Sequence, residues 1–166
     1  MADNLVFTAD GRLLAGETVL AQVAGPDDEG FPQLVVGDHD YNIVRPERLG
    51  WHFELIDRWS GKRTCDLVPF RLRRGGRLRW SDGVVLLRRR PLRGKRWWFL
   101  AESGHRIEAT ARPVGHGFPG SVMRPLEVTL RSDQGIGPFP HEPITLAFGC
   151  WLVIQWDSMP LNVGGS

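Results

Sequence analysis

What this chain lacks narrows its reading first. It has two cysteines, Cys65 and Cys150, too few for a disulfide framework and not spaced as metal ligands. Both are expected to pack as small apolar groups, which suits a reducing compartment. No basic stretch leads into an apolar one at the start, so no secretory signal is expected and the cytoplasm is the expected setting. Catalytic signatures are missing too: there is no Gly-x-Ser-x-Gly, no P-loop and no dinucleotide fingerprint. The five histidines, His39, His52, His105, His116 and His141, fall in no zinc or triad pattern. Asp38-His39-Asp40 places ligand-type side chains together, but no second cluster completes a metal site, and a turn accounts for it better. Gly115 to Gly120 is glycine-rich without the strand-to-helix setting that holds phosphate, and reads as a connection. The expectation is a protein that is not an enzyme, with no cofactor and no metal.

Long hydrophobic runs are equally scarce. The run that matters is Pro143 to Trp156, which carries no charged residue. On a helix, Ile144, Ala147, Phe148, Trp151 and Ile154 fill one face, and Leu146, Gly149, Cys150, Val153 and Trp156 fill the others. A helix apolar all round must be buried all round. At ~1.5 Å per residue the run spans ~20 Å, short of the ~30 Å of bilayer hydrocarbon. Its flanks, Glu142 and Asp157, are acidic and offer no cationic anchor. A core helix over about 143–157 is therefore expected, and no transmembrane span. Pro140 and Pro143 suit its start, Ser158-Met159-Pro160 its end, and Gly149 a close approach by surrounding backbone.

The rest of the chain, from about residue 5 to 131, reads as short strands in hairpins. Leu5 to Thr8 and Arg12 to Ala15 flank Asp10-Gly11, and Thr18 to Val23 follows. Gln33 to Val36 and Tyr41 to Val44 form the next pair. Trp51 to Ile56 alternates in strand period and Lys62 to Phe70 returns. Leu78 to Trp80 and Val84 to Leu87 flank Asp82-Gly83. Trp97 to Ala101 and His105 to Arg112 flank Ser103-Gly104, and Pro125 to Leu130 is last. Ten to twelve antiparallel strands plus one wholly apolar helix leave few economical folds. The expectation is a single mainly β domain over residues 1–166: a closed antiparallel β-barrel of about twelve short strands around a buried hydrophobic C-terminal α-helix, which also removes sheet edges. Most of the seven tryptophans are expected to be filler for that core.

Net charge is only +2, but its distribution is uneven. Up to Asp57 there are eleven acidic residues against three arginines, whereas Arg71 to Arg96 holds eleven basic residues against Asp82 alone. A surface patch of one sign follows. Arg71, Arg73, Arg77, Arg79, Arg88 and Arg90 alternate with Leu72, Leu78, Trp80 and Leu87, as solvent-facing strand residues do. They would form a row of guanidiniums on one face of a ribbon, with Arg74, Arg89, Arg93, Lys95 and Arg96 in nearby turns. Guanidiniums bind phosphate bidentately, so the expected partner is an anionic lipid surface or another polyanion, with a peripheral place at the membrane. Nucleic acid is the second partner class, with Trp97 or Trp98 for stacking, and a protein-interaction module is the third use of the same patch. The competing reading is a solvated face neutralised by the acidic N-terminal strands lying alongside. Reversing Arg77 and Arg79 together is expected to leave the fold intact.

The hairpins Trp51-x-Phe-x-Leu-x-Asp57 with Gly61, and Leu78-x-Trp-x-Asp-Gly83, closing on a charge-free C-terminal helix, resemble the tubby C-terminal-like superfamily. In particular they resemble its small LURP-one-related members. The resemblance covers nearly the whole chain and rests on pattern, with the N-terminal strands matching least well. It implies a twelve-stranded barrel threaded by a hydrophobic helix. It also implies a non-catalytic role, since tubby domains bind phosphoinositide head groups and phospholipid scramblases share the fold. No local motif matches the basic residues of the tubby lipid site, so no site residue is carried over from it.

Overall fold

Alternating apolar and polar side chains build twelve strands: β1 (Leu5–Phe7), β2 (Arg12–Ala15), β3 (Thr18–Ala24), β4 (Gln33–Val36), β5 (His39–Val44), β6 (Phe53–Asp57), β7 (Arg63–Pro69), β8 (Gly75–Trp80), β9 (Gly83–Arg89), β10 (Arg96–Ala101), β11 (Arg106–Pro113) and β12 (Leu126–Arg131). One helix, α1 (Ile144–Ser158), follows. The structure, a computed structural model, describes residues 4–26, 28, 30–47, 50–90, 95–115, 125–132 and 139–158. Each strand pairs antiparallel with its neighbours in sequence, and β1 pairs with β12, opposing Leu5 to Leu130 and Phe7 to Val128. The sheet thereby closes into a barrel with no free edge, as the strand count and the need to cover the helix require.

The inner row of each strand forms the core, with Leu13, Leu34, Leu55, Leu67, Leu78, Leu87, Phe99, Ile107 and Val128 all shut off from solvent. The helix lies among them. No residue of α1 is exposed; Leu146, Phe148, Leu152, Val153 and Trp156 are buried, and Ile144, Trp151 and Ile154 are partly buried against the same core. No helix among the described residues is long and apolar enough to cross a membrane. The buried Thr145 satisfies its hydroxyl by donating to the Pro140 carbonyl at 2.6 Å, which removes the cost of a polar group in this setting.

Gly149 admits a side chain rather than the expected backbone. A Cβ there would lie 2.9 Å from the ring of Phe99, so the helix and β10 come together through the missing methyl. Both cysteines are buried and free. Burial pushes both thiols up, with the neighbouring Asp66 carboxylate adding a smaller push at Cys65, and they act as the small apolar groups expected. The alternation of strand direction sends the β7–β8 loop, the end of β9 and the start of β10 to the barrel end where α1 finishes. The β8–β9 and β10–β11 turns go to the end where α1 begins.

Candidate anion-binding site

The candidate site is built at the barrel end where the helix stops. Residues 71–74, Arg-Leu-Arg-Arg, form the loop between β7 and β8, closed where the Phe70 N–H donates to the Gly75 carbonyl at 2.9 Å. Gly75 holds φ at 109°, and a Cβ there would stand 2.2 Å from the Leu87 carbonyl oxygen. Only glycine lets β8 begin this close to β9 in that conformation. The register then sets Gly75 opposite Arg88, so the loop arginines and the end of β9 share one rim. Between them is an open cleft of about 290 Å³ lined, among the described residues, by Arg73, Arg74, Arg88, Arg89 and Arg90.

The floor of this rim is the helix terminus. Asp157, whose side chain has 0% exposure, accepts a hydrogen bond from the Trp97 indole N–H at 2.8 Å. Its other oxygen lies 3.5 Å from Arg74 Nη1 and 3.4 Å from Arg89 Nε, close enough for charge attraction though not aligned for a hydrogen bond. A helix C-terminus carries partial negative charge, so it adds to the attraction. Arg89 can reach this point because it continues the inward row of Val85 and Leu87. Beneath, Trp156 stacks between Trp51 at 5.4 Å and Trp97 at 5.3 Å. The cationic rim thus stands on a rigid aromatic base.

The six arginines singled out in the sequence do not form one strand-borne row. Arg77, Arg79 and Arg88 do face outward from β8 and β9, but Arg71 and Arg73 belong to the loop and Arg90 follows the end of β9. Leu72, expected to point inward from a strand, is instead at the loop tip and 99% exposed. Arg73 lies over the Phe70 ring at 4.5 Å and Arg77 over the same ring at 5.8 Å. Arg90 pairs with Glu108 at 3.3 Å. Arg79 is committed elsewhere: it grips Asp66 with two hydrogen bonds of 3.0 and 2.6 Å. Asp66 is only 2% exposed, and its carboxyl is held below the usual range chiefly by those bonds and, more weakly, by His52. Reversing Arg77 and Arg79 together would therefore set a new carboxylate against a buried one, and the fold would not be left intact. The clean outward positions are Arg73 and Arg88. Arg93 lies outside the described residues.

The acidic N-terminal strands do not lie alongside the patch either. β8 and β9 are flanked by β7 and β10, with β2 to β5 across the barrel, and among the described residues the carboxylates that meet the rim are Asp157 and Glu108. In the sequence Asp157 reads only as a helix flank. Its distance of 60 positions from Trp97 hides the contact. Trp98, the outward member of its pair, has its ring occupied by Arg90 at 4.6 Å and Arg106 at 5.1 Å, while Trp97 is wholly buried.

At the opposite end the helix start is pinned by His141, which stacks on Trp80 at 4.1 Å and meets Asp82 at 2.5 Å, lowering that carboxyl's pKa. A second cavity of about 380 Å³ beside it is lined by Asp82, Glu102 and Ser103 together with Trp80 and Phe139. Asp40, of the Asp38-His39-Asp40 stretch, faces Arg58 at 4.0 Å, and the described residues contain no group of three metal-ligating side chains. His116 and most of the Gly115 to Gly120 stretch lie outside the described residues. Comparison with protein-family models, with curated proteins and with solved structures finds no match.

Proposed function

We propose that this chain is a non-enzymatic binding domain that recognises an anionic, phosphate-bearing ligand through the arginine rim at the helix C-terminal end. The observation that carries the reading is the imbalance at the cleft, where among the described residues five guanidiniums face two carboxylates, Asp157 and Glu108. Like charges gathered this closely repel one another, and an anion between them relieves that repulsion while accepting planar, paired hydrogen bonds. Arg74 and Arg89 are held from below by Asp157, which leaves Arg73 and Arg88 to meet the ligand. A tubby-like barrel of the LURP-one-related type belongs to the same proposal, supported by the closed twelve-stranded barrel around its helix. So does a cytoplasmic protein held peripherally at a membrane.

Nucleic acid would be drawn by the same charges, but stacking needs an open aromatic face, and Trp98 offers its ring to Arg90 and Arg106 instead. An anion that needs no stacking fits better. The test is titration calorimetry with inorganic pyrophosphate at low and moderate salt. Wild type should bind, more weakly as salt rises. Arg73→Glu with Arg88→Glu should abolish the heat while circular dichroism stays unchanged. Equal binding by the double variant would remove the rim from consideration.

A further inference from the structure

Resting on that reading, we propose that the 71–74 loop is a membrane-docking tip. It seats the domain on an anionic lipid bilayer, with Leu72 entering the acyl boundary and the arginines around it engaging lipid phosphates. Leu72 is 99% exposed, with exposed Arg71 and Arg73 on either side of it in sequence. A leucine kept in water gives up the favourable transfer of its side chain, and among the described residues nothing covers it. The loop is not a loose excursion: the Phe70 to Gly75 hydrogen bond closes it, and the Gly75 backbone lies against β9. Arg73 is also steadied over the Phe70 ring. The tip is therefore presented by a fixed hairpin, with little ordering left to do on docking.

The pairing of chemistries at this loop selects the partner. The rim of Arg73, Arg74, Arg88, Arg89 and Arg90 lines the cleft, and in the same loop as Arg73 and Arg74 stands the fully exposed Leu72. An anionic bilayer presents phosphate first and hydrocarbon beneath, so a tip that carries leucine beside guanidinium has a group for each layer. A soluble anion would satisfy the rim and leave Leu72 unused. Nucleic acid has no hydrocarbon layer to receive it. The exposed Trp59 sits in the β6–β7 turn, at the far end of the barrel, and takes no part.

The experiment uses the full chain and vesicles of phosphatidylcholine alone or of equal parts phosphatidylcholine and phosphatidylserine. Leu72→Cys is labelled with a nitrobenzoxadiazole dye; Cys65 and Cys150, being buried, are not expected to react. The dye should shift to the blue and brighten with the anionic vesicles and stay unchanged with the neutral ones. In sedimentation, Leu72→Ser should bind anionic vesicles about tenfold more weakly than wild type, with an unchanged melting curve. Loss of binding in Arg73→Glu with Arg88→Glu, alongside a silent dye and full binding by Leu72→Ser, overturns the inserting tip and leaves the anion reading standing. Pyrophosphate binding without vesicle binding also overturns it. So does capture by a single-stranded DNA oligonucleotide in place of vesicles. Failure to bind pyrophosphate, vesicles or DNA removes both readings.

Discussion

Asp66 shows how one carboxylate can redirect an arginine that the sequence offers for binding. Its neighbours in register are Glu54 on β6 and Arg79 on β8, so the outward row across three strands is acid, acid, base. Arg79 is drawn onto Asp66 and takes no place in the rim. The consequence for stability has a definite sign. The carboxyl's pKa is lower in the folded state than in the unfolded chain, so its contribution is fully present above the unfolded value of about 4 and is lost as pH falls through the folded one. Urea midpoints of wild type and Asp66→Asn should therefore differ by a constant amount from neutral pH down to about pH 4, and converge below it. A gap that persists in acid would mean that the asparagine costs something other than the charge. Alternation identified Arg77, Arg79 and Arg88 as outward, but it could not say which of them would find a carboxylate.

Among elements, α1 gives the sharpest case. A helix with no polar face has no preferred side to turn to water, and burial all round follows from that alone. What periodicity could not say is how close each wall comes. Phe99, two residues after Trp97 on β10, fills the space that a Gly149 side chain would need. Gly149→Val should improve intrinsic helix propensity yet destabilise the domain by about 1–3 kcal/mol through overpacking. By calorimetry that is a fall of roughly 2–12 °C in Tm; an unchanged or higher Tm would mean the Phe99 ring yields freely. The loop at 71–74 is the opposite case. Alternation carried the strand pattern through Arg71, Leu72 and Arg73, but the φ of Gly75 and the hydrogen bond closing on Phe70 end the strand early. A leucine expected in the core becomes the most exposed large apolar side chain of the described residues.

At the scale of the whole molecule, closure rests on the three-residue β1, which joins β2 to β12. Removing residues through Phe7 would open two strand edges and take Leu5 and Phe7 out of the core, a loss of roughly 3–6 kcal/mol at about 1.5–3 per side chain. Light scattering after gel filtration should show that shortened chain as oligomers or aggregate. A well-folded monomer would mean that β12 and β2 can close without it. The barrel also separates charge. The carboxylates Asp10, Glu17, Asp28, Asp38 and Asp40 lie on or beside β2 to β5, and the arginine rim lies at β7 to β9, so the near-neutral sum conceals an uneven charge distribution, and anion binding at the proposed rim should weaken with salt.

Local pattern by itself determined the twelve strands, the single helix, its burial and the barrel that must surround it. These depend on side-chain period, turn residues and the absence of charge over Pro143 to Trp156, all carried by neighbours in the chain. The closing pair of β1 and β12, the pairing of Asp157 with Trp97, Arg74 and Arg89, the capture of Arg79 by Asp66 and the exposure of Leu72 were decided only in three dimensions. Each depends on which residues, distant in sequence or set by a single glycine's backbone, are brought within a few ångströms once the sheet has curled around its helix.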